Sequence, residues 1–251
     1  MLKVNHLSFS YRKNKQILTD VSFEIKDKEV AVILGPNGVG KTTLINCLLG
    51  FNKVKDGEIL VDNINTKELS YKEKSTTFAY VPQNILKTDL TCEETLILGR
   101  LPFYKIYPNQ DDKSKVDEII RELSLEDIRY QTTKEMSGGE RQKVAIATSL
   151  LQDSKIIVFD EPTSNLDIKA QLDILSLIKD QVTKKNKSAI ISMHDINHAL
   201  LIGDTFIFLK DGKIYKQCQK EEIDPHLLEE IYGIKVKIIK DKGGTYIHYE
   251  N

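Results

Sequence analysis

The sequence predicts an α/β fold: a buried core sheet, an antiparallel β subdomain at the N-terminal end and an inserted α-helical subdomain in the middle. Three observations predict it. Short, continuous apolar runs at Glu29 to Leu34, Lys155 to Asp160 and Ser188 to His194 read as central strands covered on both faces by crossover helices. Val4 to Tyr11, Ile17 to Ile25 and Glu58 to Asn63 alternate apolar and polar residues instead, as antiparallel edge strands do. Between about 84 and 152 the β-type runs vanish, and Val116, Ile119, Ile120 and Leu123 recur at helical spacing.

The elements follow in order. The first central run ends at a Gly/Pro/Asn cluster, and Thr42 to Leu49 then places Leu44, Ile45, Leu48 and Leu49 at helical spacing, giving strand, glycine loop and helix. A helix from Arg141 to Leu151 carries Val144, Ala147 and Leu151 on its apolar side. After Phe206 to Leu209, the turn Lys210-Asp211-Gly212-Lys213 joins two short strands as a hairpin. A small helix near Pro225 to Tyr232 and a β-like tail complete the chain. No repeat, low-complexity tract or flexible linker interrupts it. One domain over 1–251 is expected, with 1–83 and 153–251 as core and 84–152 as the helical insertion.

Composition excludes several classes. With 36 Lys+Arg against 37 Asp+Glu, the net charge of -1 gives no bulk attraction to a polyanion, so no nucleic-acid partner is expected. A 40% hydrophobic fraction supports a real core and excludes disorder. Near the start the longest purely apolar stretch is Val30-Ala31-Val32-Ile33-Leu34, far short of the roughly 20 residues that cross a bilayer, so membrane association would come through a partner. Met1 to His6 shows no secretory pattern. Cys47, Cys92 and Cys218 have no ligand or CxxC spacing, which suits a reducing cytosol.

Gly35-Pro36-Asn37-Gly38-Val39-Gly40-Lys41-Thr42-Thr43 fits G-x-x-x-x-G-K-[ST] between a strand and a helix. There the glycines turn backbone N–H groups toward phosphate, the helix start adds its positive end, Lys41 supplies charge to the β/γ-phosphates and Thr42 ligates Mg²⁺. A plain surface glycine turn is the bland alternative, and the strand and helix on either side argue against it. Asp160 ends the second central run and can hold the metal, while Glu161 after it can polarise an attacking water. Ser137-Gly138-Gly139 presents another set of N–H donors at a helix start; alone it reads as a simple Ser cap. His194 and His198 are four apart, but His194 ends a strand, so a shared metal site is not expected.

In this order the motifs resemble the nucleotide-binding subunit of an ABC transporter over the whole chain. The resemblance implies a P-loop NTPase (RecA-like) core. Gly35 to Thr43, including Asn37, Gly38, Gly40, Lys41, Thr42 and Thr43, matches the P-loop, and Gln83 in Tyr80-Val81-Pro82-Gln83 matches the Q-loop. Ser137-Gly138-Gly139-Glu140 matches the signature, Asp160 and Glu161 the Walker B pair, Ser164-Asn165-Leu166-Asp167 the D-loop and His194 the switch histidine. Tyr11 stands where the family places an aromatic on adenine. Met136 and Glu140, Asn165 and Val39 depart from the commoner residues; these are expected to tune activity rather than remove it.

What the resemblance implies is an ATPase with ATP and Mg²⁺, the metal on Thr42, Gln83 and Asp160. Glu161, His194 and Gln83 carry the catalysis. Two copies pair head to tail, with Ser137, Gly138 and Gly139 of one closing the ATP held by the other, and Asp167 linking the two sites. The insertion receives integral membrane permease subunits at the cytoplasmic face of the membrane, with a substrate-binding protein acting indirectly. Leu98 to Pro102, Met193 to Asn197, and Ile231 to Ile234 with Val236 to Ile239 resemble importers of iron chelates, haem and cobalamin. An iron–siderophore complex is the expected cargo. Haem, cobalamin, zinc or manganese importers are the alternatives, and a soluble ABC ATPase acting on DNA or ribosomes is a distant one.

Overall fold

The computed structural model describes residues 1–12, 15–241 and 244–250. The chain divides into two compact units, Met1–Leu69 with Val182–Asn251, and Ser70–Gln181. In the first unit β1 (Leu2–Arg12) and β2 (Lys15–Ile25) precede β3 (Val30–Leu34), α1 (Lys41–Leu48), β4 (Asp56–Val61) and β5 (Ile64–Asn65). β1 pairs antiparallel with both β2 and β4, so it is interior, not an edge strand. Alternation reports one solvated face and cannot tell an interior antiparallel strand from an edge one. His6, at φ 52°, lies at a register shift that moves the buried face of β1 from Leu2 and Val4 to Leu7.

The second unit runs through α2 (Tyr71–Thr77), β6 (Phe78–Val81), α3 (Cys92–Leu98), α4 (Gln110–Glu122), α5 (Gly138–Leu151), β7 (Ile156–Asp160) and all but the last three residues of α6 (Ile168–Lys184). Sequence-predicted helical segment 84–152 lies inside it. β6 and β7 pair in parallel, with Val81 opposite Phe159. α2, α3 and α4 start at Ser70, Thr91 and Asn109, each closed by an acid at the third helical position. Such capping boxes satisfy two otherwise orphaned N–H groups and fix where a short helix begins. Arg100, 4% exposed, donates to Asp112 at 3.0 Å and to the Leu151 carbonyl at 3.0 Å, and stacks on Phe103. Gly99 is required beside it, because a Cβ there would meet the Thr148 carbonyl at 2.4 Å. The Gly99-Arg100 pair thus ties α3 to α4 and α5; breaking such a buried ion pair costs about 3–5 kcal/mol.

The chain returns to the first unit with β8 (Ser188–Ser192), α7 (Ile196–Ile202), β9 (Thr205–Lys210), β10 (Lys213–Gln219), α8 (Pro225–Tyr232), β11 (Val236–Asp241) and β12 (Gly244–Tyr249). β3 lies between β8 and β9, parallel to both, and all five of its residues are buried. β10 folds back on β9 through Asp211 and Gly212, both at positive φ, as the Asp-Gly signal predicts. β8 stops at Ser192, so His194 stands beyond the strand rather than ending it. The three cysteines are buried free thiols, each pushed up to about 11 by desolvation. Among the described residues no helix is long and apolar enough to cross a membrane.

Candidate functional site

In the first unit, Gly35 to Gly40 form the loop between β3 and α1. A side chain at Gly35 would place its Cβ 2.3 Å from the Leu209 carbonyl of β9, so the start of the loop is closed to any larger residue. Gly40 takes φ 114° at the N-cap of α1; no side chain caps this helix and its first turn holds no acid. A helix start with no side-chain cap and no acid of its own is suited to seat an anion. Lys41 is only 5% exposed and curls back, its Nζ donating to the Gly35 carbonyl at 2.9 Å and the Pro36 carbonyl at 3.4 Å. The ammonium is thereby held over the loop whose amides would face phosphate. Asn37, Gly38 and Thr42 are exposed, and Thr43 is half-buried.

Tyr11 closes the same region from β1. Its ring is 61% exposed, with its hydroxyl 3.5 Å from Thr43 Oγ1 and accepting from Asn52 Nδ2 at 3.4 Å. Phe9 meets it edge-on at 4.9 Å. A supported aromatic face beside the first turn of α1 is what a planar base can stack on.

In the second unit the parallel register explains a pairing across 78 residues of sequence: two positions beyond Val81 and Phe159, the Gln83 amide donates to Glu161 Oε2 at 2.8 Å. Asp160, 2% exposed, ends β7. Tyr80 of β6 feels that carboxylate, since burial and then the Asp160 charge push its phenol up. Glu161 sits at φ 46° and Asn165 at φ 61°. The left-handed region costs a glutamate strain, which structures retain at functional positions, whereas asparagine tolerates it; this gives the Asn165 departure a local reason. Asp167 accepts from the Ala170 N–H at 2.9 Å and so caps the start of α6. The Thr42 hydroxyl of the first unit and the Asp160 carboxylate of the second are each, taken singly, a hard oxygen donor of the kind Mg²⁺ accepts.

α5 begins three residues earlier than the apolar pattern implies. Ser137 caps it, its N–H donating to Glu140 Oε2 at 2.7 Å and its hydroxyl accepting from the Glu140 N–H at 3.3 Å. That Ser-x-x-Glu pattern was readable in sequence as a capping box. Met136 is buried, and Gly138 and Gly139 leave room for Leu166 and Ala170 at 3.2 and 3.6 Å from a Cβ. His194 is exposed in the joint between β8 and α7, while His198 lies 3.9 Å from Asp195.

Residues 18–164 match the family model for the ABC transporter. The chain belongs to the ABC transporter family. It is 40% identical over 243 residues to an uncharacterised ABC transporter ATP-binding protein of Methanocaldococcus jannaschii, covering 97% of this chain and 95% of that one. It is 32% identical over 240 residues to the petrobactin import ATP-binding protein of Bacillus subtilis, covering 95% of each. A dimeric ATP-binding cassette solved in a post-hydrolysis state with ADP and Pi superposes with a TM-score of 0.77 at 29% identity, over 87% of this chain and 98% of that one. As an ABC cassette the chain is an ATP-binding ATPase, with the α/β core and antiparallel β subdomain expected of it. Sequence reasoning missed the Gln83–Glu161 hydrogen bond and the backbone conformation of Glu161. Only strand register reveals the first, and no residue-level pattern marks the second.

Proposed function

We propose that this chain is the ATP-hydrolysing subunit of an ABC importer, energising uptake of an iron–siderophore complex through integral membrane partners at the cytoplasmic face of the membrane. The observation that carries the catalytic reading is Glu161, directly after buried Asp160, with the Gln83 amide on its carboxylate. In that place Glu161 takes a proton from the water that attacks the γ-phosphate, a general-base contribution of ~10²–10⁴-fold. Asn37, Gly38, Gly40, Lys41, Thr42 and Thr43 bind the phosphates, and Tyr11 stacks on adenine. Mg²⁺ on Thr42, Asp160 and Gln83 would neutralise phosphate charge. His194 contacts the γ-phosphate and steadies the water.

Ser137, Gly138 and Gly139 close on the ATP held by a second copy, with Asp167 connecting the two sites; the dimeric cassette relative supports two copies. The petrobactin import relative supports the cargo, along with the Met193 to Asn197 and Ile231 to Ile239 segments. Leu98 to Pro102 lends less weight, because packing accounts for Gly99 and Arg100. Glu161→Gln is expected to keep ATP binding and lose hydrolysis about 100-fold or more in a phosphate-release assay; unchanged turnover removes the base assignment. With the membrane partners reconstituted, a ferric-siderophore-loaded binding protein is expected to stimulate hydrolysis. Stimulation by haem, cobalamin or zinc instead would replace the cargo.

A further inference from the structure

His194 occupies a joint whose backbone is held on both sides. Before it, the Met193 N–H donates to the Ile33 carbonyl of β3 at 3.0 Å. After it, Asp195 caps α7, accepting from the Asn197 and His198 N–H groups at 2.8 and 3.1 Å. These contacts fix the main chain; the imidazole itself is exposed and borders a walled cavity. We propose that the C-terminal module, α8 with β11 and β12, is that wall and positions His194 for hydrolysis, acting through Asn197 and Tyr232.

Two observations carry this. A cavity of about 250 Å³ is lined by His194 together with Leu228 and Tyr232 of α8, Val236 of β11, and Ile247 and Tyr249 of β12. The imidazole thus borders a largely apolar, aromatic space whose lining, among the described residues, comes mainly from the module, with Ile196 of α7 beside it. Independently, the Asn197 side chain grips β12 as a neighbouring strand would: Nδ2 donates to the Ile247 carbonyl at 3.1 Å, and the Ile247 N–H donates to Oδ1 at 2.6 Å. β11 and β12 form a separate two-stranded ladder, and such a hairpin is marginal unless something docks it. One amide, three residues beyond His194, therefore sets where the module stands.

Tyr232 extends the wall toward the glycine loop. Its hydroxyl is buried without a properly formed hydrogen bond to any described residue. Burial and the neighbouring Tyr249 drive its phenol above the ordinary tyrosine range, and the Gly35 N–H opposes that shift. A buried hydroxyl with no better partner than a weak approach to the Gly35 N–H gains little from its polar end, so packing of the ring is the main hold on Tyr232. Tyr232 hence stands against the first residue of the loop and against the His194 cavity together.

The proposal rests on the reading of His194 as the residue that steadies the attacking water, and one set of kinetic measurements on the full chain tests both. Asn197→Ala and Tyr232→Ala are each expected to lower kcat about tenfold while the KM for ATP stays within about twofold, as small misplacements of a catalytic group do. Tyr232→Phe keeps the ring and is expected to retain hydrolysis with equal or higher thermal stability. In a His194→Ala background, neither alanine variant should lower kcat further, because residues acting through one group are not additive. Wild-type kcat in both variants, or losses that add to that of His194→Ala, would overturn the positioning role. Full hydrolysis by His194→Ala alone would instead overturn the reading beneath it.

Discussion

Two helix starts in this molecule are rich in glycine, and they are built in opposite ways. α1 begins at Gly40 with no side-chain cap and no acid in its first turn. α5 begins at Ser137, whose hydroxyl and N–H are both engaged by Glu140. The first brings no acid to its own positive end; the second carries an anion of its own. Glycine near a helix N-terminus is therefore not enough to make a phosphate seat. Whether the chain has already capped itself decides how strongly an outside phosphate is attracted. On this reading α1 is the primary ATP site, and α5 contributes only after competing with Glu140.

The largest expected effect is at α1. Lys41→Ala removes the buried ammonium bent over the Gly35 and Pro36 carbonyls, and ATP affinity should fall about 10- to 100-fold, the ~1.5–3 kcal/mol carried by hydrogen bonds to a charged group. Titration with a fluorescent ATP analogue measures it, and undiminished affinity would erase the distinction between the two helix starts. A smaller effect is expected at α5. Ser137→Ala deletes a side-chain cap and should lower unfolding stability by about 1 kcal/mol in urea titrations without altering ATP affinity of the isolated chain. A large loss of ATP affinity in that variant would mean α5 also holds nucleotide in cis.

How much of this was legible beforehand depends on how local the cause is. The loop from Gly35 to Thr43 and the buried runs at Val30–Leu34 and Ile156–Asp160 announce themselves, because burial on both faces and phosphate chemistry each demand particular residues at short spacing. β6, of only four residues, and α2 and α3, of seven each, were invisible to periodicity because they are shorter than the window that reveals it. The Gln83–Glu161 contact depends on the parallel register of strands far apart in sequence. β8 was read two residues too long because Met193 and His194 continue its composition, while the Asp195 cap of α7 ends the strand. The Asn197 clamp on Ile247 has no sequence signature at all.

The smallest effect isolates the charge that sets α5 apart from α1. Glu140 is held below the usual carboxylate range, first by the Ser137 hydroxyl and then by its N–H. A depressed folded pKa contributes stability that is present above the unfolded value and lost as pH falls through the folded one. Glu140→Gln can keep both capping hydrogen bonds but carries no charge, so the dipole interaction and the weaker attraction to Lys143 and Arg141 disappear. The carboxylate is largely solvated and screened, which places the difference near the low end of that range, about 0.3 kcal/mol. Wild type should therefore exceed the variant slightly in urea midpoint at pH 7, and the gap should close as pH drops below the ordinary 4.5. Glu73 and Glu94, lowered by the same kind of cap, weaken both proteins over that window, so the difference between the two reports Glu140 alone. A gap that persists in acid would show that the side-chain shape at position 140, rather than its charge, distinguishes the two helix starts.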